Sequence, residues 1–155
     1  MAAAIKGQST TQGRAGAYGL RALALMLGVF FAFHALDKIA WFADSSILAQ
    51  RLDGWLKNAA PSTRWYIETV AVPGIPLFAR LVPLAELSTG VALILGFWPR
   101  LVAALAFLMV ANFHFARGAF YTWAFPLDGT GLPVLGGLLA LALGASRLPL
   151  SFSKE

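Results

Sequence analysis

A chain of 155 residues that is 59% hydrophobic and only 12% charged, with mean hydropathy +0.71, departs from soluble proteins, in which about a quarter of residues are charged. It reads as one integral membrane unit. The net charge of +5 comes from Lys and Arg that stand singly rather than in runs, which excludes a nucleic-acid surface, and the absence of cysteine excludes a disulfide framework, a thiolate metal site and a cysteine redox relay.

Residues 1–18 are small, polar and basic without apolar periodicity and are expected to form a flexible tail. A first span follows over about residues 20–42; it is too long for a signal-peptide core and ends in bulky Trp41 and Phe42. In "ILAQRLDGWLKNAA", Leu48, Leu52, Trp55 and Leu56 fall on one side of a helix, while Gln50, Asp53, Lys57 and Asn58 fall on the other. Too polar to span, this helix is expected over residues 47–59 on the extracytoplasmic surface or as a cap over the bundle. The chain re-enters the bilayer through "STRWYIETVAVPGIP". A second span is expected at 77–97, a tight "WPR" turn leads into a third at 101–116, and a fourth occupies 132–145.

The expected fold is therefore all-α: a four-helix membrane domain over residues 19–150, followed by a C-terminal tail at 151–155. The Gly136, Ala140 and Gly144 stripe is expected to pack the fourth helix closely. Lys6, Arg14, Arg21, Arg100, Arg147 and Lys154 outnumber Arg51, Lys57, Arg64 and Arg117 in the opposite loops, which places both termini in the cytoplasm of a bacterial inner membrane.

Several residues are costly in such a setting, about 2.5–3.5 kcal/mol each for a charge at the bilayer centre. His34, Asp37, Lys38 and Trp41 are spaced i, i+3, i+4, i+7 and would share one stripe of the first span. Arg80 and Glu86 interrupt the second. Counted at about 1.5 Å per residue, Glu86 lies some 15 Å below the outer end of its helix, too deep to snorkel, and is expected to pair with Lys38 or Arg80. Asn112 and His114 lie near the outer end of the third span. Together these seven residues would line a polar vestibule on the extracytoplasmic side.

"HALDKI", "LAELSTGVALILGFWPR" and "NFHFARGAF", in that order over about residues 21–150, resemble the DoxX family of small bacterial membrane proteins, including the DoxD-type small subunit of thiosulfate:quinone oxidoreductase. The resemblance implies a four-helix membrane bundle that works with membrane or periplasmic oxidoreductase subunits, with His34, Asp37, Lys38 and Glu86 at the family's polar positions. No covalently bound cofactor and no metal is expected. A quinone is the expected ligand: His34 would supply a hydrogen-bond donor and Glu86 a protonatable relay. An anionic sulfur compound held by Lys38 or Arg80 is the other ligand class. The alternative function is a non-catalytic scaffold whose ion pairs set helix register and fill the space a ligand would need. A b-type haem between His34 and His114 fits poorly, because their depths differ by about 9 Å.

Overall fold

Helices make up the architecture throughout the described residues. The structure is a computed structural model that describes the backbone of residues 2–145 and 148–152, and the side chains of 13–123, 125–145 and 148–152. Its helices are α1 (Ala2–Asp37), α2 (Ser46–Leu56), α3 (Pro61–Tyr66), α4 (Ile75–Leu95), α5 (Pro99–Ala116), α6 (Ala124–Leu127) and α7 (Leu132–Gly144). Among the described residues, three segments are long and apolar enough to cross a membrane: Gly13–Asp37, Ile75–Leu95 and Pro99–Ala116. The thirteen residues of α7 reach only about 20 Å, less than the roughly 30 Å of hydrocarbon in a bilayer.

Helix α1 packs on α4 and α7, and α5 packs on α7 and α4, so the four longest apolar helices close a ring. Their shared core holds Ala24, Leu27, Phe31, Leu93, Ala106, Val110, Leu138 and Leu141. A second apolar cluster, with Trp41, Leu48, Leu52, Ile67, Ala71 and Ala79, lies where α2 and the α3 region meet the start of α4.

Two glycines set the α1–α4 contact. A Cβ on Gly90 would come within 2.8 Å of both the Gly28 carbonyl oxygen and the Ala32 amide nitrogen, and one on Gly28 within 2.9 Å of the Gly90 carbonyl oxygen. The helices thus touch backbone to backbone, as small residues permit. At the far end of α4, Gly96 adopts φ +68° and the Phe97 amide returns to the Ala92 carbonyl at 2.8 Å, a left-handed stop. Pro99 then starts α5 at once, so the tight turn expected from "WPR" forms over residues 96–98. Buried Arg21 donates to the Leu93 and Ile94 carbonyls at 3.0 and 2.7 Å, and Arg100 to that of Ala142 at 3.2 Å. These cations cap the C-terminal ends of α4 and α7.

Three expectations change. The helix begins at Ala2, within the segment read as a tail, because "AAAIK" contains no helix breaker and alanine has the highest helix propensity. Helix α1 stops at Asp37, and residues Ile39–Phe42 form a 3-10 turn. The stripe of small residues on α7 is not its packing face. Gly136 and Ala140 are exposed, while Val134, Leu135, Leu138 and Leu141 are buried; large apolar side chains gain more from burial in a core than glycine does.

Candidate functional site

The inward face of α1 is the run Arg21, Ala24, Leu27, Gly28, Phe31, Ala35 and Lys38, spaced by three and four. It ends in a cation. Lys38 is the first residue past α1, and its ammonium donates to both Glu86 carboxylate oxygens at 2.9 Å and to the His34 carbonyl at 3.0 Å. One contact caps the last turn of α1 and the others neutralise a carboxylate held within α4. Lys38 is 7% and Glu86 3% exposed, so both charges are largely shielded from water. A buried pair of this kind is tolerated when its hydrogen-bonding capacity is used, and all three ammonium protons are used here.

Glu86 is positioned by the helix itself. Pro83, Glu86, Thr89, Gly90 and Leu93 form the buried stripe of α4, so the contact that brings Gly90 against α1 also turns Glu86 toward Lys38. Arg80, six residues before Glu86, is rotated some 120° away at about 100° per residue. It is exposed and donates to the carbonyl of Pro76 at 2.6 Å. The expected partnership of Glu86 with Lys38 or Arg80 is thus resolved in favour of Lys38. Asp37, one residue before Lys38, is turned about 100° from it, off the inward stripe, and is likewise exposed.

A partly open cavity of about 250 Å³ lies beside the pair, between the two apolar clusters. His34, Lys38, Glu86, Asn112 and His114 line it, whereas Asp37 and Arg80 do not. Phe30, Phe31, Phe78, Val82 and Val110 form much of the apolar wall; Trp41, Arg51, Trp55 and Tyr66 also line it. The half-buried ring of His34 lies 4.2 Å from that of Phe30, centroid to centroid. Asn112 continues the exposed Leu101, Leu105, Leu108 stripe of α5 and therefore belongs to the rim of the cavity. A π-helical turn at Ile67–Ala71 carries the chain from Tyr66 to Ala71, and both of these residues line the cavity.

His114 is buried at 3% exposure. Its Nε2 lies 3.0 Å from the Thr130 carbonyl; a carbonyl only accepts, so Nε2 carries the proton. Nδ1 is buried with no partner, and the rings of Phe120 and Phe125 approach the imidazole at 6.0 and 5.3 Å. Thr130 is itself fixed, its amide and hydroxyl donating to Asp128 at 2.8 and 2.7 Å. Asp128 also pairs with Arg117, whose guanidinium burial pulls below its ordinary pKa. Among the described residues no group of three His, Cys, Asp or Glu is placed to hold a metal ion.

Arg51 and Tyr66 are absent from the site expected from sequence, where Arg51 counts only as a loop charge. Arg51 had a readable signal: it is three residues after Leu48 and four before Trp55, on the side of α2 that turns inward. Tyr66 had none, since an aromatic near a span end is equally an interfacial anchor.

The DoxX family model matches residues 19–117, a segment that contains α2 to α5, most of α1 and every sequence-predicted site residue. The chain belongs to the DoxX family. The match ends at Arg117, so α6 and α7 lie outside it. Among curated proteins and among solved structures, none matches the chain. This DoxX-family chain is a multi-pass membrane protein, all-α, with a helical region between its first two spans.

Proposed function

We propose that this DoxX-family protein is a membrane subunit of an oxidoreductase system and that its cavity binds the ring of a quinone or a similar small redox substrate. The observation that carries the reading is the cavity itself, an apolar, aromatic-walled space beside a buried acid–base pair and a histidine. A flat ring would lie against Phe30, Phe78 and Val82. The His34 imidazole would donate to a ring carbonyl, and Glu86, balanced by Lys38, would exchange protons as the ring is reduced. Electrons come from a partner subunit, since cysteine is absent from this chain. The cavity would open to the extracytoplasmic half of a bacterial inner membrane, with four spans and both termini cytoplasmic. An anionic sulfur substrate held by Lys38 or Arg80 has less support, because Lys38 has no donor left and Arg80 lies elsewhere.

A second reading, a non-catalytic scaffold, draws on the same pair: Lys38 and Glu86 satisfy each other and lock α1 to α4 without a ligand. Binding of a short-chain ubiquinone analogue to the purified protein, followed by tryptophan quenching, separates the two. Saturable binding that weakens about tenfold in His34→Ala and folded Glu86→Gln, the cost of one hydrogen bond to a charged or polar anchor, and is unchanged in Asp37→Asn would support the site. No binding, or equal binding in all four proteins, favours the scaffold.

A further inference from the structure

The cavity wall contains three permanently charged side chains of positive sign, and two are spent. Lys38 is consumed by Glu86 and the His34 carbonyl, and Arg117 by Asp128. The third is Arg51. Its guanidinium carbon lies 5.2 Å from the centroid of the buried Trp41 ring, and among the described residues no carboxylate pairs with it. Helix α2 buries Leu48 and Leu52; Arg51, itself exposed, adjoins that inward face and lines the mouth of the partly open cavity. With the lining carboxylate Glu86 held by Lys38, and Arg117 neutralised by Asp128, which is not part of the wall, one positive charge remains whose donors await an acceptor. The Trp41 face orients the guanidinium and leaves its planar edge of N–H groups for an oxyanion, the geometry in which arginine binds most strongly.

From this we infer that Arg51 is an anion anchor, and that the cavity takes an amphiphile with a flat apolar body and an anionic head. The volume restricts the body: about 250 Å³ is below the roughly 300–1,000 Å³ of common ligand pockets, which suits one or two fused rings. The head sits at Arg51, on the α2 side, and the rings reach toward Phe78 and Val110. The assignment stands apart from the quinone reading, because it concerns the charge of the ligand and not its redox chemistry.

Naphthalene-2-sulfonate and the neutral naphthalene-2-sulfonamide differ in charge but share their rings, and neither is a quinone. Titrated into the full-length protein in non-ionic detergent, the sulfonate is expected to bind about tenfold more tightly, as one charge-assisted contact requires. Arg51→Gln should abolish the preference while leaving sulfonamide affinity within about twofold, Arg51→Lys should retain part of it, and Lys57→Gln, just past the end of α2 and not on the cavity wall, should leave it intact. Nanodiscs distinguish the source of the anion. If phosphatidylglycerol but not phosphatidylcholine competes with the sulfonate in an Arg51-dependent way, the anchor takes a lipid head group; without such competition it takes a free aromatic anion. Equal binding of the two probes to the unaltered protein, or a preference that survives Arg51→Gln, overturns the assignment.

Discussion

Removing either member of the Lys38–Glu86 pair strands a charge that is largely shielded from water. Lys38→Met or Glu86→Leu should each destabilise the protein by about 3–5 kcal/mol, whereas the double change, which leaves no charge behind, should cost far less than the two single losses together. Thermal unfolding of the four proteins in detergent checks this, and additive losses would contradict the pairing. Glu86 was legible in the sequence because a carboxylate eleven residues into an apolar helix needs a partner, and Lys38 because a cation lay within reach. Asp37 was not separable from Lys38 by spacing. Its exposure follows from its place about 100° round the helix from Lys38, and which of the two turns inward is set by the face α1 presents to α4, since both lie at spacings from His34 that put them on one stripe.

At the scale of elements, the Gly28–Gly90 contact holds α1 and α4 in the register that lets Lys38 meet Glu86. A methyl group at Gly90 would meet α1 backbone at 2.8 Å, and backbone cannot yield as a side chain tip does. Gly90→Ala is expected to destabilise by about 1–3 kcal/mol, the usual cost of overpacking. Gly136→Ala, with nothing within 4 Å of the added Cβ, should be neutral or slightly stabilising through helix propensity. Unfolding midpoints of the two variants provide the comparison, and an equal loss at both positions would disprove the assignment of the close approach. The apolar segments and the turn at 96–98 were readable from hydropathy and the Gly and Pro that punctuate it. The packing face of α7 was not, because with apolar residues on all sides it has no polar face to orient it, and a stripe of small residues reads equally as a contact or as a lipid-facing surface. The 3-10 and π turns beside the cavity were also hidden, since no local residue preference distinguishes them from α-helix.

For the whole molecule, the topology turns on whether α7 crosses. The chain has no cysteine, so single cysteines introduced at Gly7, Lys57 and Lys154 report their sides without background. Four spans predict that Gly7 and Lys154 positions label from the cytoplasmic side and Lys57 from the other; labelling of Lys154 together with Lys57 would leave α7 on the surface. The positive-inside count behind that expectation includes Arg21 and Arg100, which also cap helices, so their placement answers to packing as well as to membrane sidedness. The ring of helices roofed by α2 could be anticipated in outline, but the cavity could not, because a filled ion-pair network and a ligand space give the same residues. Filling that space is the direct test of whether it is the functional centre. Val110→Phe places a larger apolar side chain on the cavity wall while leaving Lys38, Glu86 and His34 unsubstituted, and binding of the ubiquinone analogue to this variant is the measurement to make. The account predicts an affinity reduced by about tenfold or more with the unfolding midpoint held or raised; full affinity in the folded variant would contradict it.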